Sequence, residues 1–203
     1  MFSFDAILFD IGGVILTNGW DHNERAAVMA QFHLDLAEFE ARHQAHYMDW
    51  DRGTITAEEY LDATIFYEPR SFTREEFHRV MLAQSKVLAD GALEILQELA
   101  AAQKCLIGAL NNEARESNEY RLEHFGLRPL FKVTLSSCYL GLRKPEPEFF
   151  RRALDILGRP AQRVLFIDDR AENVAAAAAE GINAIRFEGA EALRRDLGSL
   201  GVL

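Results

Sequence analysis

The sequence has little of several features that define other protein classes. It contains two cysteines, Cys105 and Cys138, without metal-ligand spacing, and no apolar run approaches the roughly 20 residues that cross a membrane. The N-terminus lacks a charged segment followed by a long apolar stretch, because Asp5 and Asp10 interrupt the only candidate. We therefore predict a cytoplasmic protein in a reducing setting, with no membrane partner.

An excess of basic residues is also missing. The 32 acidic side chains outnumber the 22 lysines and arginines, so the formal net charge is -10. This balance argues against nucleic acid as a main partner. It leaves room for a small anionic substrate, because one lysine and one metal ion can hold a phosphate inside an acidic protein. We expect a monomer or a homodimer.

Short apolar runs recur along the chain, and helical patterns separate them. Continuous apolar runs are typical of strands that are buried on both faces of a parallel sheet. The predicted strands span residues 6–9, 105–110, 132–135, 164–167 and 183–187. The predicted helices between them include residues 93–102, 147–157 and 172–180. This alternation predicts an α/β fold with a Rossmann-like, doubly wound parallel sheet.

One long segment breaks the alternation of strands and helices. Met29, Phe32, Leu36 and Phe39 recur at helical spacing, and further helical patterns follow around residues 60–66 and 77–82. A crossover between parallel strands needs only about a dozen residues. We therefore predict an inserted all-helical cap over residues 17–89. Residues 1–16 and 90–203 would form the Rossmann-like core.

Polar clusters follow the predicted strands at the points where the apolar runs end. The clusters are Asp10 after the first strand, Asn111-Asn112 after the second and Asp168-Asp169 after the fourth. A further segment, Gly141-Leu142-Arg143-Lys144-Pro145, precedes a predicted helix and supplies a cation. Open α/β sheets place their ligand sites at the carboxyl ends of the strands. We therefore expect these residues to form one site.

Four motifs in this order resemble the haloacid dehalogenase-like (HAD) hydrolase superfamily. They are Leu8-Phe9-Asp10-Ile11-Gly12-Gly13-Val14, Leu110-Asn111-Asn112, Gly141-Leu142-Arg143-Lys144-Pro145-Glu146-Pro147 and Phe166-Ile167-Asp168-Asp169-Arg170-Ala171-Glu172-Asn173. The resemblance spans essentially the whole chain. Within the superfamily, the chain is similar to capped bacterial sugar-phosphate phosphatases and to the N-terminal phosphatase domain of epoxide hydrolases.

The resemblance implies a metal-assisted nucleophile at the first motif. Asp10 would attack phosphorus to form an aspartyl-phosphate and would also bind Mg²⁺. The backbone carbonyl of Gly12 and the carboxylate of Asp169 would bind the same ion. Asp168 would belong to this metal site and, with Asn173, would orient metal-bound water.

The remaining motifs imply groups that bind the phosphate. Lys144 would offset negative charge in the transition state, and Asn112 and Asn111 would donate hydrogen bonds to the phosphate. A plain turn at Asn111-Asn112 stays open as an alternative. The resemblance as a whole implies a Mg²⁺-dependent phosphatase that acts on a small phosphorylated metabolite.

Two departures from the family pattern keep other functions open. Most phosphatases of the superfamily carry a second aspartate two residues after the nucleophile, where this chain has Gly12. Glycine cannot serve as a general acid. General acid catalysis contributes roughly 10²–10⁴-fold to the rate. Asn111 also replaces the usual serine or threonine. A metal-independent 2-haloacid dehalogenase and a non-catalytic binding protein are the alternatives, although the paired acids of the last motif argue against the dehalogenase.

Several residues of the insertion could contact the substrate. Asn18 and Trp20 follow the nucleophile closely in the sequence, and His43 and Tyr47 lie one helical turn apart. His43 is a candidate substitute for the missing proton donor, because histidine titrates near neutral pH. Arg70 could meet a second anionic group. Each of these residues could instead have a structural role.

Overall fold

A five-stranded parallel sheet lies at the centre of the structure, a computed structural model that describes residues 4–203. The strands are β1 (Ala6–Phe9), β2 (Leu106–Asn111), β3 (Val133–Ser136), β4 (Val164–Asp168) and β5 (Asn183–Arg186). Their order across the sheet is β3-β2-β1-β4-β5. The predicted fold class is confirmed. Strands β2, β3 and β4 extend one residue further than predicted, so Asn111 and Asp168 belong to strands.

The first strand occupies the middle of this sheet and is buried on both faces. Phe9 pairs with Ala109 of β2 on one side and with Ile167 of β4 on the other. Parallel pairing in this register brings the carboxyl ends of three strands to the same edge. Asp10 therefore follows β1 between the end of β2 and the end of β4.

Helices of the core cover both faces of the sheet. They are α5 (Leu93–Ala102), α6 (Arg115–His124), α7 (Ser137–Leu140), α8 (Pro147–Leu157), α9 (Ala171–Ala179) and α10 (Ala190–Ser199). One apolar cluster packs Ile7 and Phe9 against α5 and α10, and a second packs Leu8 and Phe166 against α8. Within residues 4–203, no helix is both long enough and apolar enough to span a membrane.

Four helices lie between β1 and β2 in the chain. They are α1 (His22–Gln31), α2 (Leu36–Asp51), α3 (Ala57–Thr64) and α4 (Arg74–Leu82). Each begins after an aspartate or threonine whose side chain accepts a hydrogen bond from the amide of a glutamate three residues later. These N-caps satisfy amide groups that would otherwise lack partners. The helices share their own apolar cluster, with Trp20, Phe39, Tyr60 and Phe77 in it.

The apolar spacing from Met29 to Phe39 does not mark one continuous helix. Helix α1 ends at Gln31 and α2 begins at Leu36. His33 between them has φ of 55°, a left-handed conformation that a helix cannot continue through. The two helices still pack their apolar residues into one cluster, which is why the spacing looks continuous in the sequence.

Candidate active site

Asp10 is held at the end of β1 by backbone and side-chain contacts. Its backbone amide donates to the carbonyl of Ile167 at 2.8 Å, and its Oδ1 accepts from the amide of Ile11 at 2.8 Å. The side chain is only 11% exposed. Burial and the nearby Asp168 raise the pKa of Asp10 to about 7, although Lys144 acts in the opposite direction. This carboxylate therefore depends on nearby positive charge.

Lys144 supplies that charge from a buried position. Its Nζ lies 2.9 Å from Oδ2 of Asp10 and 2.6 Å from Oδ2 of Asp168. The side chain is 1% exposed, and the ammonium lies 5.2 Å from the centroid of the Phe166 ring. A buried ammonium is tolerated because two carboxylates compensate its loss of hydration.

Asn112 fixes the backbone that carries Lys144. Its amide nitrogen donates to the carbonyl of Lys144 at 2.9 Å, and its Oδ1 accepts from the amide of Lys144 at 2.8 Å. Both polar atoms of the Asn112 side chain are therefore engaged, and the second N–H of its amide remains for the predicted hydrogen bond to phosphate. Asn111 donates instead to Oδ1 of Asn118 at 3.0 Å and lies outside the cavity described below.

Asp168 and Asp169 occupy different surroundings after β4. Asp168 is fully buried and accepts hydrogen bonds from the amide of Arg170 and, at 3.0 Å, from the side chain of Asn173. Asp169 packs against Gly13, where an added Cβ would lie 2.4 Å from Oδ2 of Asp169. Gly13 also has φ of 73°, so the close approach requires glycine there.

Three carboxylates converge at this point in an arrangement that suits a cation. One oxygen from each of Asp10, Asp168 and Asp169 lies within 4.8 Å of the others. Oδ1 of Asp169 is buried and has no hydrogen-bond partner among the described residues. Burial and Asp168 raise the pKa of Asp169. An orphaned carboxylate oxygen beside two further carboxylates fits a hard divalent cation, which prefers oxygen ligands.

A cavity of about 530 Å³ opens from this cluster toward helices α1 and α2. Asp10, Gly12, Asn112 and Lys144 line it from the core. Its other charged lining residues are Asp21, Arg25, Asp51, Glu113, Arg121, Arg143, Arg170 and Glu172. Five basic and five acidic side chains thus meet in the cavity, although the whole chain has a net charge of -10. The local balance can accommodate an anion.

The model of the haloacid dehalogenase-like hydrolase family matches residues 4–181. The chain belongs to the haloacid dehalogenase-like hydrolases. The match covers β1 to β4 and therefore every polar cluster at the strand ends. This confirms the resemblance that the four sequence motifs suggested, and it makes the chain a hydrolase.

This HAD-like hydrolase is similar to proteins whose names give different activities. Flavin mononucleotide hydrolase 1 from Arabidopsis thaliana is 32% identical over 97% of this chain and 77% of its own length. A HAD family enzyme from Bacteroides thetaiotaomicron, solved with magnesium and inorganic phosphate, superposes with a TM-score of 0.74, 19% identity and coverage of 92% and 95% of the two chains. An L-2-haloacid dehalogenase superposes with a TM-score of 0.69, 18% identity and coverage of 97% and 99%. Both structural similarities show the fold alone.

The chain between β1 and the end of α2 places aromatic and polar groups on the cavity wall of this HAD-like hydrolase. Four candidate substrate contacts line the cavity, namely Asn18, Trp20, His43 and Tyr47. Trp20 is also 7% exposed, and its ring nitrogen donates to the hydroxyl of Tyr60 at 2.8 Å, so it has a packing role as well.

Arg70 does not belong to this cavity. It donates to the carbonyl of Ile65 at 2.8 Å and pairs with Glu68 at 2.5 Å, on a separate pocket of the insertion. The prediction that Arg70 meets a second anionic group of the substrate therefore finds no support in the geometry. The reason is local, because Arg70 closes the turn that follows α3.

His43 is a poor proton donor at neutral pH. Its Nδ1 lies 2.8 Å from the hydroxyl of Tyr60, and its ring stacks on Phe39. Burial, with a contribution from Arg25, lowers the pKa of His43 to about 4. The imidazole is therefore neutral at neutral pH, whereas the predicted role as substitute proton donor requires it to be protonated. It can still accept or donate a hydrogen bond in the cavity.

This burial leads to a testable pH dependence of stability. Between the ordinary histidine pKa of 6.5 and about 4, the unfolded chain binds a proton that folded His43 does not. His43 therefore lowers stability as the pH falls through that window. We expect His43→Asn to gain stability relative to the wild type between pH 7 and pH 4, by up to about 3 kcal/mol. Urea unfolding at several pH values measures this difference.

The asparagine amide can replace the contact of Nδ1 with Tyr60, which keeps the substitution mild. His46→Asn on the same helix serves as the control. Parallel stability curves for the wild type and His43→Asn would contradict a buried neutral histidine at this position.

Sequence reasoning did not single out two charged pairs that line the cavity. Arg121 pairs with Glu113 at the cavity wall, and both are almost fully buried. Arg143 donates to Asp51 at 3.2 Å. The one signal in the sequence was that Glu113 directly follows Asn112 and that Arg143 directly precedes Lys144. These positions do not reveal that Glu113 pairs with Arg121 or that Arg143 pairs with Asp51.

Proposed function

We propose that this HAD-like hydrolase is a Mg²⁺-dependent phosphatase that acts on a small phosphorylated metabolite. The observation that carries the proposal is the convergence of Asp10, Asp168 and Asp169 within 4.8 Å beside Lys144. A single ammonium cannot balance three carboxylates, so the cluster favours a second cation. The 32% identity to a plant flavin mononucleotide hydrolase over nearly the whole chain supports the same activity.

The residues that would hold Mg²⁺ are Asp10, Asp168, Asp169 and the backbone carbonyl of Gly12. Bound there, the ion supplies charge neutralisation between the nucleophilic carboxylate and the phosphate. The orphaned Oδ1 of Asp169 supports this assignment, since a buried polar atom without a partner is costly. Asn173 holds Asp168 through its two hydrogen bonds and so fixes one side of the ligand set.

Asp10 is the nucleophile in this proposal. An oxygen of its carboxylate forms the new bond to phosphorus as the ester bond breaks, and water then hydrolyses the aspartyl-phosphate. Lys144 remains beside the nucleophile through both steps and offsets charge on the phosphoryl oxygens. The side chain of Asn112 holds Lys144 and has a second N–H to donate to the phosphate.

We propose further that residues 17–89 form a cap over a core of residues 1–16 and 90–203. The four helices share an apolar cluster, and residues of α1, α2 and the segment before α1 complete the wall of the cavity. The cavity of about 530 Å³ has the size of a site for a small molecule. Its aromatic lining from Trp20, Tyr47 and Trp50 favours a substrate that carries a ring as well as a phosphate.

Gly12 favours a second candidate function. A 2-haloacid dehalogenase needs no general acid, because a halide leaves as a stable anion, and the fold is also that of an L-2-haloacid dehalogenase. The cluster of three carboxylates has no role in that chemistry without a metal. A non-catalytic protein would retain the metal site without turnover.

One experiment separates these functions. Hydrolysis of p-nitrophenyl phosphate, flavin mononucleotide, nucleoside 5′-monophosphates and sugar phosphates is measured with and without Mg²⁺, beside chloride release from 2-chloropropionate. We expect phosphate release that requires Mg²⁺. Chloride release without metal, together with no phosphate release, would establish the dehalogenase instead. Tight Mg²⁺ binding without turnover in either assay would establish a non-catalytic protein.

A further inference from the structure

The position of the missing general acid is occupied by groups that cannot replace it. A Cβ added to Gly12 would lie 3.3 Å from Oδ1 of Asn18 and 3.8 Å from Nη1 of Arg121. An amide does not titrate, and a guanidinium keeps its proton at any physiological pH. The proton that a leaving alcohol needs must therefore come from elsewhere in the cavity.

We propose that Asp51, at the end of α2, is the general acid for the leaving group. The inference rests on the proposed phosphatase function. As the bond from Asp10 to phosphorus forms, the bond from phosphorus to the leaving oxygen breaks. The carboxylic acid of Asp51 transfers its proton to that oxygen, so an alcohol leaves and Asp51 becomes a carboxylate. No co-reactant is needed for this step.

Asp51 lies on the cavity wall where the end of α2 meets the Lys144 loop. It lines the same cavity as Asp10, Gly12 and Lys144, and its side chain is 22% exposed. Nη2 of Arg143 donates to its Oδ2 at 3.2 Å. Among the described residues, no group donates to its Oδ1. One carboxyl oxygen is therefore oriented by arginine, and the other is left for a substrate.

Contacts with the core hold the backbone of Asp51 in place. The hydroxyl of Ser137 donates to its carbonyl at 2.7 Å. Two residues later, Gly53 packs so closely on Cys138 that an added Cβ would lie 2.5 Å from the Cys138 carbonyl oxygen. Arg52 also pairs with Glu146, close to the Lys144 loop. The acid is thereby fixed relative to the loop that carries the catalytic ammonium, as proton transfer requires.

The surroundings of Asp51 favour the protonated form near neutral pH. Burial is the largest cause, and the nearby Glu113 adds to it, so the pKa of Asp51 is raised to about 7 despite Arg143 and Arg170. Its place at the C-terminus of α2 acts in the same direction, since a helix end disfavours a carboxylate there. The hydroxyl of Tyr60, from α3, is a further titratable group that interacts with it.

The other acids of the cavity are less suited to this role. Glu113 is engaged by the buried guanidinium of Arg121. His43 is neutral, and Asp10 is the nucleophile. The side chain of Asp21 caps α1, and Glu172 is exposed in the first turn of α9. Asp51 combines a pKa raised to about 7 with one carboxyl oxygen that has no donor among the described residues.

The test compares two phosphates of similar shape whose leaving groups differ in basicity. First-turnover rates of wild type and Asp51→Asn are measured with Mg²⁺ on p-nitrophenyl phosphate and on benzyl phosphate. We expect a loss of about 10²-fold or more on benzyl phosphate and less than about threefold on p-nitrophenyl phosphate, which needs no proton. On benzyl phosphate, the wild-type rate should fall as the pH rises above about 7, and Asp51→Asn should lack this alkaline fall.

Asp49→Asn, an exposed acid on the same helix, is the matched control. Equal losses on both substrates, or an alkaline fall that persists in Asp51→Asn, would overturn the role of Asp51. A wild-type series of aryl and alkyl phosphates tests the inference without any variant. A steep fall of the first-turnover rate with leaving-group basicity would mean that no acid acts. Failure of the phosphatase proposal is distinct, because wild type would then release no p-nitrophenol with Mg²⁺.

Discussion

Replacing Asp10 by asparagine is expected to lower kcat for Mg²⁺-dependent phosphate hydrolysis by about 10⁴-fold or more. An amide cannot form the aspartyl-phosphate, and it removes one of three converging carboxylates. The substitution preserves the shape of the side chain and its ability to accept from the Ile11 amide, which lies 2.8 Å away in the wild type. Phosphate release in steady state, followed with p-nitrophenyl phosphate, measures the loss.

Asp155→Asn on the exposed surface of α8 provides the control for this variant. Thermal unfolding should show that Asp10→Asn remains folded, because fewer like charges then share the buried site. Residual activity within tenfold of the wild type would place the nucleophile at another residue and would remove the basis for an aspartyl-phosphate.

Replacing Lys144 by methionine is expected to reduce both activity and stability. The change leaves the carboxylates of Asp10 and Asp168 buried beside each other without the ammonium that lies 2.9 and 2.6 Å from them. Removal of one partner from a buried ion pair costs about 3–5 kcal/mol. Loss of a group that stabilises the transition state lowers kcat by roughly 10²–10³-fold. Urea unfolding and steady-state kinetics measure the two effects.

Magnesium should reverse part of this loss of stability, because a bound cation can replace the missing charge. Lys132→Met, which removes an exposed lysine just before β3, controls for the change in net charge. If Mg²⁺ stabilises neither Lys144→Met nor the wild type, the carboxylate cluster does not act as a cation site.

The strand-end chemistry could be predicted from the sequence because it depends on backbone order alone. Buried parallel strands read as continuous apolar runs, and their carboxyl ends meet at one edge. This reasoning located Asp10, Lys144 and the pair Asp168-Asp169, and the structure brings these residues together. The predicted strand ends differ from the observed ones by one residue at most, because burial changes gradually where a strand enters a loop.

The boundaries of the four helices between β1 and β2 are marked in the sequence by N-capping residues, which the spacing of apolar residues does not include. Asp21, Asp35, Thr56 and Thr73 each precede a glutamate by three residues, and each is the N-cap of a helix. This spacing is a capping pattern that can be read from sequence. It separates α1 from α2, which the spacing of apolar residues from Met29 to Phe39 had merged.

The polar contacts across the cavity were beyond sequence reasoning. Asp51 and Arg143 lie 92 positions apart, and only the packing of α2 on the core brings them to 3.2 Å. His43 loses its proton because aromatic residues from two helices surround it, which a helical spacing of four residues does not reveal. The pKa of a titratable group depends on which side chains exclude water from it, and only the folded structure determines those neighbours.

The double hydrogen bond between Asn112 and the backbone of Lys144 has a consequence for the energetics of turnover. It joins the end of β2 to the loop that carries the Lys144 ammonium. The amide dipole of Asn112 and the charge of Lys144 are therefore oriented before any substrate binds. In water, solvent molecules must reorient as negative charge develops on phosphoryl oxygens. In this site, the protein groups that stabilise the negative charge are already in position. The reorganisation energy that opposes the reaction in solution is therefore small.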